Sequence, residues 1–105
     1  MQITLTPVRR DDRLSVERYG DTLVLNGMPY DFSHLPEGAV LPRTAVDCDW
    51  LASNVTRIGG TLQLTLMLPH GASAPDETRY PAPLFLSEDG PVALPPHSAV
   101  EETFE

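Results

Sequence analysis

No lysine occurs among the 105 residues, so all seven basic side chains are arginines, set against fifteen acids. That bias is what a GC-rich coding genome produces and implies no recognition chemistry by itself. The formal net charge of −8 opposes direct nucleic-acid binding, because phosphate contacts need a basic surface. The single cysteine, Cys48, excludes an intrachain disulfide and leaves no thiol pair for zinc. No apolar stretch approaches the ~20 residues that span a bilayer, so no membrane partner is expected. The first residues, Met1-Gln2-Ile3-Thr4-Leu5-Thr6, alternate like a strand and show no basic start followed by an apolar run. The expected context at synthesis is a bacterial-type cytoplasm, and the Asn54-Val55-Thr56 sequon reads as accidental.

Proline, by contrast, is abundant. Eleven of 105 residues is about twice the average usage of roughly 5%. Prolines interrupt helices and central strands, so the count favours a loop-rich β fold. A chain of this length makes one domain that buries about 65% of the surface its unfolded form exposes, enough to stand without staples.

Two turns fix a meander. Asn26-Gly27 tolerates the positive φ angles of a type I′ turn, which pairs Leu25 with Met28, Val24 with Pro29 and Leu23 with Tyr30. A Gly20-Asp21 turn then sets Tyr19 opposite Thr22 and Val16 opposite Leu25. Leu14, Val16, Leu23, Leu25, Met28 and Tyr30 fall on one face, with Ser15, Glu17 and Asp31 on the other. In this register the missing N–H of Pro29 points away from its hairpin partner, which marks a free sheet edge.

The remaining segments read as further short strands. Ile3 and Leu5 alternate with polar neighbours in a first strand that Pro7 is expected to end. Residues 44–51 fit a strand, with Val46, Cys48 and Trp50 alternating with Asp47 and Asp49; a two-turn helix capped by Thr44 is the alternative. Residues 55–68 form a hairpin about Gly59-Gly60, with Leu62, Leu64, Leu66 and Leu68 on one face. A third pair joins Leu84-Phe85-Leu86 to Val92-Ala93-Leu94. The expected fold is all-β, a small antiparallel sandwich or partly open barrel of about seven or eight short strands with little or no helix. It occupies residues 1–95, and residues 96–105 form a flexible acidic tail.

Catalytic signatures are missing. There is no P-loop, no Gly-x-Gly-x-x-Gly and no Gly-x-Ser-x-Gly. Asp47 and Asp49 are two carboxylates where a hard cation needs six or more oxygens, so they read as a solvated strand face. His34, His70 and His97 share no metal-ligand spacing. Cys48 has no activating elbow or helix terminus and reads as a buried structural thiol. No catalytic residue, metal or cofactor is expected. The exception to this bland reading is the 69–81 segment, thirteen residues without periodicity; loops of that length are usually functional or disordered. Partner binding is expected there at His70, Glu77, Arg79 and Tyr80, since Arg and Tyr are common interface anchors and His adds a pH-sensitive contact. Alternatively Tyr80 turns inward to plug the core and Arg79 pairs with Glu77; exposure of the ring separates the two.

Several stretches resemble small bacteriophage and prophage proteins encoded near tail genes. They are Leu5-Thr6-Pro7-Val8-Arg9, Asn26-Gly27 with Tyr30-Asp31-Phe32, and Leu35-Pro36-Glu37-Gly38-Ala39. They continue in Leu66-Met67-Leu68-Pro69-His70-Gly71, Ala74-Pro75-Asp76-Glu77-Thr78-Arg79-Tyr80-Pro81 and Gly90-Pro91-Val92-Ala93-Leu94-Pro95-Pro96. The resemblance implies a phage context and carries no assigned site. The leading expectation is a non-enzymatic protein acting by protein–protein contact, in tail assembly or as a minor virion component. Self-association by pairing of the Pro29 edge strand is a further expectation. The alternative is an acidic inhibitor of a host defence complex that occupies a nucleic-acid channel. A hydrolase using Cys48 or a histidine ranks last.

Overall fold

Asn26 and Gly27 adopt φ of 51° and 82°, the left-handed pair that a type I′ turn demands. The consequences run through the first sheet as expected. In this computed structural model, which describes residues 1–72, 74–95 and 97, β2 (Val16–Tyr19) pairs with β3 (Thr22–Leu25), matching Val16 with Leu25 and Tyr19 with Thr22. Strand β3 pairs with β4 (Met28–Asp31), matching Leu25 with Met28, Val24 with Pro29 and Leu23 with Tyr30. The Asn26 side chain braces the turn: its Oδ1 accepts from the Ser15 N–H at 2.7 Å and its amide donates to the Arg13 carbonyl at 3.0 Å.

Nine strands among the described residues form two sheets. The four-stranded sheet runs β4-β3-β2-β9, with β9 at Gly90–Val92. The five-stranded sheet runs β5-β6-β7-β1-β8. Its strands are β1 (Gln2–Arg9), β5 (Val40–Leu41), β6 (Val55–Ile58), β7 (Thr61–His70) and β8 (Leu84–Phe85). Inward residues of both sheets share one apolar core that includes Ile3, Leu5, Val16, Leu23, Leu25, Leu64 and Leu66. The protein is an all-β sandwich, with almost no helix and no closed barrel among the described residues. Among the described residues, no helix is long and apolar enough to cross a membrane.

Turn chemistry also sets β6 and β7. Gly59 and Gly60 take φ of 61° and 79°, and both their N–H groups donate to the Glu37 carboxylate at 2.7 Å. Leu62, Leu64, Leu66 and Leu68 are all buried. Arg57 on β6 joins the two sheets. Its guanidinium donates to the Leu35 carbonyl at 2.6 Å, the Phe32 carbonyl at 3.2 Å and the Asp21 carboxylate at 3.0 Å.

Several expectations need correction. Met28 shares the register of the buried face but is 58% exposed, because β4 is the outermost strand of its sheet and Met28 lies at its turn end. Leu14 and Tyr30 are half-buried at the same margin. Pro7 does not end β1, which continues to Arg9. Strand β8 covers only Gln2 and Ile3, so among the described residues the outer side of β1 at Pro7 has no strand partner, and an edge position tolerates a missing donor.

Residues 44–51 form neither the expected strand nor the two-turn helix. Arg43–Ala45 makes a short 3-10 turn, and the chain reaches the sheet only through a single bridge between Leu51 and Leu66. Its alternating apolar residues serve to lay a loop on the core, burying Trp50 and Leu51 while Asp47 and Asp49 stay exposed. Cys48 is half-buried there rather than fully enclosed.

The expected third hairpin does not form either. Strand β8 pairs with β1 and β9 with β2, so the two segments lie in different sheets. Asp89 holds the crossing between them by accepting from the Gly20 N–H at 2.8 Å. The central pair β1·β7 is parallel, with Ile3 beside Leu64 and Leu5 beside Leu66. The proposed 96–105 tail lies outside the described residues except for His97.

Candidate functional site

The 69–81 loop begins where β7 ends. Pro69 is buried and His70 half-buried, its Nδ1 3.0 Å from the Gly71 carbonyl oxygen. The Arg10 N–H donates to the His70 carbonyl at 3.1 Å, and the Gly71 N–H donates to the His97 carbonyl at 2.8 Å. His97 Nε2 lies 2.7 Å from the Arg10 carbonyl oxygen. Two histidines far apart in sequence therefore meet at the root of the loop, through backbone groups of Arg10 and Gly71.

Arg10 also organises what lies beneath. Its guanidinium stacks 4.2 Å from the Trp50 ring centroid and grips Asp12 with two hydrogen bonds of 2.8 and 2.6 Å. The bidentate hydrogen bonding holds the Asp12 carboxyl below its ordinary range. None of this was visible in the sequence, since residues 10, 50, 70 and 97 share no spacing that a motif would capture.

Beyond the root the loop turns into a one-turn helix, α1 (Asp76–Arg79). Pro75 precedes it in an extended conformation, and Asp76 and Glu77 place two acids in its first turn, where the helix dipole favours them. The Tyr80 N–H closes the turn on the Asp76 carbonyl at 2.8 Å, and Pro81 cannot continue a helix. Ala74 and Thr78 are 5% and 0% exposed, so the helix is rooted in the body of the protein through one face.

The opposite face is open. Tyr80 is 80% exposed, and Glu77 and Arg79 also face solvent. Arg79 pairs with Asp76 at 3.2 Å across one turn rather than with Glu77. The inward, core-plugging alternative for Tyr80 does not hold. Of the four residues expected to bind a partner, Glu77, Arg79 and Tyr80 lie together on and just after α1, whereas His70 belongs to the root.

The other titratable candidates are scattered. His34 is exposed in the segment after β4. The Cys48 thiol lies against Tyr30, whose hydroxyl is pushed up from its usual range first by burial and then by that thiol. No group of three His, Cys, Asp or Glu side chains is placed to hold a metal ion among the described residues. Compared with protein-family models, curated proteins and solved structures, the chain matches none.

Proposed function

We propose that this β-sandwich is a non-enzymatic protein that works by protein–protein contact, with Glu77, Arg79 and Tyr80 as the contact residues. The observation that carries the reading is the Tyr80 ring, 80% exposed beside Arg79, directly after a helix rooted by a Thr78 with no exposure. Both side chains bury large area on contact while keeping polar groups to offer. A rooted, proline-flanked turn loses less conformational freedom on binding than a Gly/Ser linker, so more of the contact energy is left for affinity. The resemblance to phage and prophage proteins supplies the setting: tail assembly, or a place as a minor virion component.

The test is recovery of partners from a phage-infected lysate on immobilised protein. The Arg79→Ala/Tyr80→Ala double variant is expected to fold normally and to lose a partner that the unaltered protein retains. Equal recovery by the folded double variant would remove α1 as the contact site. Self-association through β4 remains a secondary reading, supported by that strand's outer position. Pro29 offers no N–H to an incoming strand, so fewer bonds are on offer there than on an ordinary edge. Inhibition of a host nucleic-acid-binding complex rests on the charge of −8 and predicts partner binding that weakens steeply with salt.

A further inference from the structure

The outer face of the five-stranded sheet carries no charged side chain among the described residues, although the chain holds seven arginines and fifteen acids. Alternation along each strand fixes its membership. Because Ile3, Leu5, Leu62, Leu64 and Leu66 point into the core, Gln2, Thr4, Thr61, Gln63 and Thr65 point out. Solvated sheet faces are normally studded with charges; this one presents amides and hydroxyls together with apolar groups that include Val40, Ile58 and Phe85.

Register aligns one row across all five strands. Val40 pairs with Thr56, Thr56 with Gln63, Gln63 with Gln2, and Gln2 with Phe85. Four inter-strand steps of about 4.8 Å make the row about 19 Å long. Its ends are apolar and open, with Val40 55% and Phe85 72% exposed. Two shallow depressions, of about 210 and 450 Å³, meet at Gln2 and Gln63. Asn54 and Thr65 wall the first; Ile58, Thr61 and Phe85 wall the second. The Met1 ammonium sits at one corner and donates to the Leu86 carbonyl at 3.0 Å.

Amide and hydroxyl side chains both donate and accept, which matches the hydroxyls of a polyol and offers no counter-charge to an ion. The overall negative charge further disfavours an anion. Phe85 at the end of the row supplies an apolar plane for the C–H face of a ring. We propose that this face binds a neutral oligosaccharide laid across the strands. Gln2, Gln63, Thr4, Thr56 and Thr65 hydrogen-bond its hydroxyls, and Phe85 stacks on one sugar. The surface is built from different residues than α1, so this proposal stands independently of the protein-contact reading.

Titration of the isotope-labelled protein with maltohexaose, cellohexaose, laminarihexaose and chitotetraose, followed by NMR, tests it. At least one sugar is expected to give saturable shifts of the Gln2 and Gln63 side-chain amide resonances, with a Kd of about 1 mM or tighter. Gln63→Ala should weaken that binding at least about tenfold with the core amide shifts unchanged. Phe85→Ala, on a two-residue edge strand, gives the same readout should Gln63→Ala fold poorly. No saturable shift from any of the four at about 10 mM would overturn the proposal, as would shifts that persist undiminished in these variants. Broadening of the same resonances with protein concentration alone would overturn it in favour of a second copy of this chain.

Discussion

Single residues do most of their work here through backbone groups of other segments. Glu37 caps the β6–β7 turn, Asn26 ties its own turn to residues 13 and 15, and Asp31 accepts from the Ser33 N–H at 2.9 Å. That last bond, with the Ser33 hydroxyl next in weight, holds the Asp31 carboxyl below its ordinary range. A carboxyl depressed on folding contributes stability above its unfolded pKa, and the contribution disappears as pH falls through the folded value. Asp31→Asn keeps an acceptor for Ser33 but removes the charge. Urea melts should therefore show the variant less stable than the unaltered protein near pH 7, with the gap closing below about pH 4. A gap that persisted at about pH 2 would mean the charge is not the cause.

Elements form where local chemistry and burial agree. The β2–β3–β4 meander is such a case, and Leu23, 1% exposed, is its centre. Leu23→Ala should cost about 2–5 kcal/mol in denaturant melts through lost burial and a residual cavity. A loss below about 1 kcal/mol would show that the inward face is misassigned. The meander was legible in the sequence because Gly20 and Asn26-Gly27 fix its register within a few residues. The β6–β7 hairpin was legible for the same reason. What misled was periodicity without a ladder: Val46, Cys48 and Trp50 alternate as a strand would, yet only Leu51 forms a bridge, to Leu66 of β7, and the segment lies on the core as a loop. The segments at 84–86 and 92–94 have strand-like residues and a turn between them. Their ladders, however, are completed by β1 and β2, some 70 or more residues away, which no local signal encodes. The candidate site was half legible. Loop length and residue type pointed to Glu77, Arg79 and Tyr80, whereas the Arg10–Trp50 stack under the loop depends on contacts that only the fold creates.

At the scale of the whole molecule, the two sheets are closed by long-range pairings. The chain leaves β1, builds the meander and the β5–β6 flank, and returns as β7 to lie parallel beside β1. Non-local closure of this kind costs loop entropy before it is rewarded, so folding is expected on the slower, millisecond-to-second scale of β-sandwiches. Arg57 is the clearest polar tie between the sheets, with a side chain 14% exposed and its partner Asp21 38% exposed. Arg57→Ala should cost about 1–3 kcal/mol. Most of that comes from the Leu35 carbonyl left without its donor, since the Phe32 carbonyl still accepts from the Leu35 N–H at 3.1 Å and solvent screens the Asp21 pair. Arg57→Lys should recover only part of it, because one ammonium cannot reach all three partners in the fixed fork geometry of a guanidinium. Full recovery by lysine would assign the tie to charge alone.

The rigid body so built presents α1 with a bare tyrosine at its end, and the proposed partner contact stands or falls there. Site-specific photocrosslinking in phage-infected cells is the direct measurement, with the photoreactive residue placed at position 80 and, separately, at position 19. Tyr19 is also exposed, at 47%, but belongs to the meander. One defined protein adduct from position 80, absent from position 19, is the predicted result. Adducts from position 19 alone, or no adduct from either, would contradict it.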